Sequence, residues 1–401
     1  MAQRTETSEP AEGEAIDVVD VYVDDTIVER ARAVLESKRY VKGPVLEAFE
    51  EAFAAFCEAE HAVGVSSGTA ALALAMESYG VGPGEEVFVP GHTFFASVSP
   101  VLALGATPTF VDCDPETYTI DTEDLAAKAE ASDAPSAVVP VHLYGQPAAM
   151  DRVNEIATEY GMAVIEDACQ AHGARYRGER AGSLGDVGCF SFYPSKNMTV
   201  GGDGGMLVTD DAERAERARE LRNHGRDNEG EHVRLGLNYR LDELKAAIGD
   251  EQLKHLPEWN RRRREIARRY TEELSAIPEV RTPTVAPDVE HVFHLYVIQV
   301  PDREALREDL SEREVGTGIH YPTPAHRHAA IEEEVGIVEA LPVTDALCER
   351  IVSLPMHPRL TDDDVDRVCE AIATHYGNGG DRERVGREVG DRKTGDRRAS
   401  E

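Results

Sequence analysis

Lysine is scarce in this 401-residue chain: only seven of its 42 basic residues are Lys, set against 76 Asp and Glu, and the formal net charge is −34. A surface that acidic repels phosphate backbones and anionic headgroups, so neither nucleic acid nor a membrane is expected as a partner without a local basic patch. Many carboxylates with few lysines is a halophilic composition, suited to concentrated salt that screens self-repulsion. The six cysteines, 57, 113, 169, 189, 348 and 369, show no C-x-x-C and no paired spacing. Neither a zinc site nor a disulfide framework is indicated, and a reducing, cytoplasmic compartment is expected. The N-terminal segment carries Glu6, Glu9, Glu12 and Glu14 and no apolar stretch, so it does not read as a signal peptide. No G-x-x-x-x-G-K-[ST] occurs and no G-x-G-x-x-G turn, which removes the P-loop and nicotinamide-binding readings. Val87 to Val111 lacks Asp, Glu, Lys and Arg, yet Pro90, Pro100, Pro108, Gly91 and Gly105 break it into strand, helix and strand rather than a membrane span.

Apolar residues make up 41% of the chain, enough for a large core, and the length suggests two domains. His61 to Val65 reads as a strand leading into Ser66-Ser67-Gly68-Thr69 and a helix to about Tyr79, ended by a glycine-rich turn. Further strands are expected at Glu86 to Val89, Thr107 to Val111, Ala137 to Val141, Ala163 to Glu166, Val187 to Phe192 and Gly205 to Thr209. Helices such as Met150 to Tyr160 and Ala212 to Leu221 separate them. That alternation gives an α/β fold with a mostly parallel sheet covered on both faces. A long helix from Asp242 passes Pro257 into the run Arg261 to Arg264, which reads as a solvated face or a guide for an anionic substrate. Val292 to Val300 then reads as a strand, with helices at 303 to 314 and 361 to 374 in a smaller α+β domain. The expected organisation is an acidic tail over 1–14, a large domain over 15–255, a small domain over 256–377 and a charged tail over 378–401.

In such sheets ligands gather at the carboxyl ends of strands. Ser67, Gly68 and Thr69 open a helix, where free N–H groups favour an anion, although Ser or Thr there is also an ordinary cap. Asp167 ends a strand and suits loop orientation, a metal, or a protonated ring nitrogen; only His172 lies nearby as a second metal ligand. Lys196 follows a strand within an apolar and glycine-rich segment, where partial desolvation favours the neutral amine that attacks carbonyls. With Phe94 at another strand end, these residues offer partners for the phosphate, ring face, pyridinium and aldehyde of pyridoxal phosphate.

The chain resembles the DegT/DnrJ/EryC1/StrS family of pyridoxal-phosphate-dependent sugar aminotransferases. The resemblance rests on Tyr40-Val-Lys-Gly-Pro44, Ser67-Gly-Thr-Ala-Ala-Leu72, Val89-Pro-Gly-His-Thr-Phe94, Val141-His-Leu-Tyr-Gly145 and Glu166-Asp-Ala-Cys-Gln-Ala-His-Gly173. It continues through the lysine motif, Gly236-Leu-Asn-Tyr-Arg240, Ile319-His-Tyr-Pro322 and Leu354-Pro-Met-His-Pro358, in the family's order and spacing. It implies the type I aspartate aminotransferase fold and a homodimer with shared active sites. Lys196 would form the Schiff base and move the proton, Asp167 would keep the ring nitrogen protonated, Gln170 would bond the phenolic oxygen and Phe94 would stack on the ring. The phosphate would be held by Gly68, Thr69 and Ser191, and by Asn238 of the partner subunit. His320, Tyr321 and Lys42 would border a nucleotide-linked keto-sugar, with glutamate or glutamine as amino donor.

A keto-sugar dehydratase of the same fold replaces the lysine with histidine, and this chain keeps Lys196. A cofactor-binding regulator is opposed by the intact Asp167, Ser191 and Lys196. Phe192-Tyr-Pro-Ser-Lys196-Asn and Ile319-His-Tyr-Pro-Thr-Pro324 resemble members that aminate C-3 of the sugar, whereas Thr199 resembles the C-4 type. The charge balance generates its own expectation. Shortening the Debye length from roughly 10 Å at 0.1 M salt to about 3 Å at 1 M should raise the melting temperature markedly, and a melting temperature indifferent to salt would refute the halophilic reading.

Overall fold

The computed structural model describes residues 15–391, with side chains described through Gly377. The expected tail over 1–14 and residues 392–401 lie outside the described residues, while the last helix runs Asp362–Asp391. Seven strands form the main sheet: β1 (His61–Val65), β2 (Glu86–Pro90), β3 (Thr107–Val111), β4 (Pro135–Val138), β5 (Ala163–Asp167), β6 (Val187–Ser191) and β7 (Gly205–Thr209). Their spatial order is β1-β7-β6-β5-β4-β2-β3. All run parallel except β7, which is antiparallel to both neighbours.

Burial on both faces explains why these strands read as continuous apolar runs. Val87, Val89, Ile165 and Cys189 pack against the helix Gly68–Ser78, while Phe190, Met206 and Val208 face Phe49 and Phe53 of the helix Pro44–Cys57. Asp residues start several helices: Asp211 and Asp242 each accept a backbone N–H from the first turn of the helix that follows. The helix Glu243–Leu274 keeps Pro257 inside it and runs unbroken past residue 255, where the large domain was expected to end. Its C-terminal half lends Ile266, Tyr270 and Leu274 to a second core with Val352 and Leu354. There β8 (Tyr296–Gln299) pairs antiparallel with β9 (Ile351–Leu354), beside the helix Arg303–Glu312.

The differences from expectation have local causes. Strand β4 stops at Val138, since Pro140 has no N–H for the ladder, but the register persists and Val141 still pairs with Asp167 at the same offset. Strand β8 begins at Tyr296 rather than Val292, because Phe293 adopts φ 42° and its ring stacks on His291 at 3.9 Å. The arginine run is not wholly solvated: Arg261, Arg262 and Arg264 pair with Glu258, Asp362 and Glu290, but Arg263 is 3% exposed and donates to the carbonyls of Phe293 and Met356. Burial pushes the Arg263 guanidinium down to about 9.

Asp112, just past β3, ties the main sheet to the chain that leads into β9. Its carboxylate accepts from the Val343 N–H at 3.0 Å, the Thr344 N–H at 2.8 Å and the Thr344 hydroxyl at 2.7 Å, which caps the helix Pro342–Arg350. Burial opposes the charge, yet these bonds outweigh it and hold the carboxyl below its ordinary value. A depressed carboxyl contributes stability above its unfolded pKa and loses it as pH falls through the folded value. Asp112→Ala should therefore cost on the order of 3 kcal/mol at pH 7, read by denaturant melts. The gap from the wild-type protein should narrow once pH drops below about 4; a gap independent of pH would contradict a charged cap.

Candidate active site

The carboxyl ends of β5 and β6 lie side by side, with Asp167 in register with Cys189 and Ser191 two residues further along. The preceding Glu166 is fully buried and accepts from His142 Nε2 at 2.8 Å and from the N–H groups of Gly182, Leu184 and Gly185, each at 2.7 Å. Alternation along the strand then sends Asp167 to the opposite face. There its Oδ2 accepts from the Ser97 hydroxyl at 2.6 Å, and its Oδ1 accepts from the Cys169 N–H at 3.2 Å. Ser97 in turn lies 2.7 Å from the Thr93 hydroxyl. A carboxylate with one bond at each oxygen keeps lone pairs for a further donor.

Lys196 lies on the loop joining β6 to β7, and its N–H donates to the Tyr193 carbonyl at 2.8 Å. Its ammonium is pushed below the ordinary lysine value by burial, which the charges of Cys169 and Asp167 only partly offset. No hydrogen bond or ion pair engages its Nζ among the described residues. An amine in that setting gives up its proton more readily, the requirement for attack on a carbonyl.

Gln170 is 5% exposed and spans two elements: its Oε1 accepts from the Tyr144 N–H at 2.7 Å, and its Nε2 donates to the Tyr321 hydroxyl at 3.0 Å. The Tyr144 hydroxyl donates to the His320 carbonyl and lies 2.8 Å from His92 Nε2. His320 Nδ1 is 2.8 Å from the Ser353 hydroxyl, and burial with the nearby Lys196 pushes its imidazole down to about 4. Tyr321 is held above its ordinary value by burial, and its ring lies 5.5 Å from Phe94, an exposed aromatic at the mouth of the site. Ser67 caps the helix Gly68–Ser78 through Ala70, so the capping reading holds for Ser67 itself. Gly68 packs so close to β6 that a Cβ there would stand 2.7 Å from Ser191 Cβ and 2.8 Å from Cys169 Sγ. Only glycine leaves the helix start next to Ser191, with the exposed Thr69 following.

The chain matches the DegT/DnrJ/EryC1/StrS aminotransferase family over residues 21–373. It belongs to that family. It is 44% identical over 339 residues, 84% of this chain and 89% of the relative, to the dTDP-3-amino-3,4,6-trideoxy-alpha-D-glucose transaminase of Streptomyces venezuelae. It is also 44% identical over 344 residues, 86% of this chain and 93% of the relative, to the dTDP-3-amino-3,6-dideoxy-alpha-D-galactopyranose transaminase of Aneurinibacillus thermoaerophilus. The X-ray structure of S. venezuelae DesV superposes with a TM-score of 0.87 at 41% identity, covering 90% of this chain and 98% of that one.

For a family aminotransferase, the structure gathers Lys196, Asp167, Gln170, Phe94, His320 and Tyr321 on one side of the sheet's carboxyl edge, beside Gly68 and Ser191. Lys42 and Asn238 gather elsewhere. Lys42 faces Arg240, Arg226 and Arg222, and together with burial these cations lower its pKa. Asn238 is exposed and pairs through its backbone with Asn223, which lines a cleft of about 250 Å³ with Lys42. Sequence reasoning missed Ser97 and Tyr144. Ser97 carries no local signal, sitting inside the charge-free run, and Tyr144, though within Val141-His-Leu-Tyr-Gly145, gains no role from that motif because it acts through its backbone N–H and a long reach to His320. Among the described residues no group of three metal-ligating side chains occurs, and no described helix is long and apolar enough to cross a membrane.

Proposed function

We propose that this chain is a pyridoxal-phosphate-dependent aminotransferase that moves an amino group from an amino acid, glutamate foremost, to a nucleotide-linked keto-sugar. The observation that carries the reading is the half-buried, unpaired amine of Lys196 near the Asp167 carboxylate, itself oriented by Ser97. The donor set fits the cofactor: a carboxylate for a cationic ring nitrogen, an amide for a phenolic oxygen, hydroxyl and N–H groups for a phosphate, and a lysine for an aldehyde. When bound, pyridoxal phosphate supplies a conjugated electron-withdrawing ring that stores the amino group between two half-reactions.

In that arrangement Asp167 would keep the ring nitrogen protonated and Gln170 would offer its second Nε2 hydrogen to the phenolic oxygen. Phe94 would cover one ring face. The N–H groups of Gly68 and Thr69 and the hydroxyl of Ser191 would take the phosphate, with Asn238 of the partner subunit. Lys196, held partly desolvated, would carry the proton to and from the reacting carbon at its Nζ. A homodimer is supported by where Lys42 and Asn238 lie, away from Lys196 and beside exposed apolar residues. Leu235 is 94% exposed on the same loop as Asn238, and Val233 and Leu237 are also exposed. Lys42, Arg222 and Arg226, with Arg240 nearby, would offer cationic partners to a diphosphate in a cleft that Glu47, Glu50, Glu220 and Asp227 also line.

Amination at C-3 is favoured, because the two relatives described above are named for 3-amino sugars. The Thr199 hydroxyl donates to the Phe192 carbonyl inside the fold, so its resemblance to the C-4 type does not reach the sugar. Matched 3-keto and 4-keto nucleotide sugars incubated with glutamate and followed by mass spectrometry should yield the 3-amino product; amination of the 4-keto sugar alone would reverse the assignment. Subunit sharing has its own test. Lys196→Ala and Asn238→Asp homodimers should each be nearly inactive, and mixing them under subunit exchange should restore activity through sites carrying neither change. Exchange without recovery would mean that each subunit is self-sufficient.

A further inference from the structure

The loop from Phe192 to Gly204 carries Lys196 and is anchored both by bonds of its own, such as the Thr199 hydroxyl to the Phe192 carbonyl, and by bonds from other elements. Two come from the helix Glu243–Leu274. Gln252 Oε1 accepts from the Thr199 N–H at 2.8 Å, and Asn260 Oδ1 accepts from Asn197 Nδ2 at 3.0 Å. The two amides lie just over two helical turns apart on the face turned to the loop. Gln252, Asn260, Asn197 and Thr199 are exposed by only 2–3%.

Each amide also uses its other end. Asn260 Nδ2 donates to the His172 carbonyl at 2.8 Å, and Gln252 Nε2 donates to the Tyr22 carbonyl at 3.0 Å. His172 lies in the segment that carries Asp167 and Gln170. Asn260 therefore ties the residues facing a ring nitrogen and phenolic oxygen to the residue next to the reacting amine. Asn197 extends the network: its Nδ2 also donates to the Val292 carbonyl at 3.2 Å, and its Oδ1 lies 3.2 Å from His294 Nδ1.

We propose that Gln252 and Asn260 are positioning residues that fix the Lys196 amine relative to Asp167 by clamping the loop at Asn197 and Thr199, immediately after it. The inference rests on the reading of Lys196 as the reacting amine. A lysine stem has four freely rotating bonds, so the reach of its amine depends on a fixed backbone origin, and a small displacement there is costly to reaction geometry. Planar amides suit the task because each supplies a donor and an acceptor in one rigid group, bridging two segments at once.

The test pairs variants that keep or remove the loop acceptor. Gln252→Glu retains an oxygen for the Thr199 N–H, and Gln252→Leu does not; Asn260→Asp and Asn260→Leu form the same contrast for Asn197. In the holoenzyme both leucine variants should lower kcat by about 10²-fold with KM for the nucleotide sugar little changed, and the acidic variants should recover most of it. A second readout uses the apo protein: reductive methylation with ¹³C-formaldehyde, followed by NMR against pH. The groups facing Lys196 there are Asp167, Cys169, His172, His294 and His320. The Lys196 signal should titrate below the ordinary lysine value in the wild-type protein and move upward in the leucine variants. Asn154→Leu, which removes a remote amide bonded to the Leu184 carbonyl, should leave both readouts in place. Should a leucine variant not fold, Asn197→Ser breaks the same network with a smaller change and should give the same kcat loss. Folded leucine variants with wild-type kcat and an unmoved Lys196 titration would overturn the proposal. Turnover by Lys196→Ala would instead sink the underlying reading of the lysine, leaving the titration result to stand alone.

Discussion

The site depends on an uncompensated amine held in a desolvated place. Lys196 is half-buried with no ion-pair partner among the described residues, and its neighbours Asp167 and Cys169 offset only part of the desolvation penalty. A lysine paired directly to a carboxylate would be a settled cation and a poor nucleophile. Asp167 is instead engaged by the Ser97 hydroxyl and the Cys169 N–H, which orient the carboxylate without neutralising it. The acid and the amine are thus neighbours with separate tasks.

Much of the fold exists to hold that separation. Strand β5 delivers Asp167 on one face and Glu166 on the other, and the three N–H groups around Glu166 lock the strand end in place. The small domain contributes through the His320-Tyr321 segment, which is fastened from the large domain by Tyr144 and Gln170. Asp112 anchors the helix Pro342–Arg350 to the end of β3. These contacts tie the main sheet to the segments beside β9 at the edge where the site lies. Motion between them would alter the site itself, because Tyr321 answers to Gln170 while His320 answers to Ser353.

The acidity of the molecule sets a second constraint. Surface charge repels anions over distances comparable with the Debye length, and any anionic ligand must approach against that field. Lys42, Arg222, Arg226 and Arg240 cluster at one place, where Glu47, Glu50, Glu220 and Asp227 offset part of their charge. Their number is kept in bounds by pairing: Arg222 bonds Glu50 as well as the Gly64 carbonyl, and Arg240 bonds Asn223. The Lys42 loop is itself fixed by the buried Glu243, which accepts from the N–H groups of Gly43, Val45 and Leu46.

By itself the sequence determined the strand-helix alternation, the parallel character of the sheet and the candidates Lys196, Asp167 and Gly68, whereas Ser191 came only from the family resemblance. Those features are local: period, caps and the placement of polar residues at strand ends follow from neighbouring residues alone. The tertiary structure decided the rest. Ser97 meets Asp167 across 70 residues, Thr199 meets Gln252 across 53 and Asn197 meets Asn260 across 63, and nothing in the local pattern of either partner selects the other. Arg263 shows the same limit from the opposite side. Within a run of four arginines it is chemically indistinguishable from its neighbours, and only the angle of one helix against the small domain turns it inward while the others reach carboxylates in solvent. Helix phase and packing angle are properties of the assembled cores, so buried polar partnerships become definite only when those cores meet.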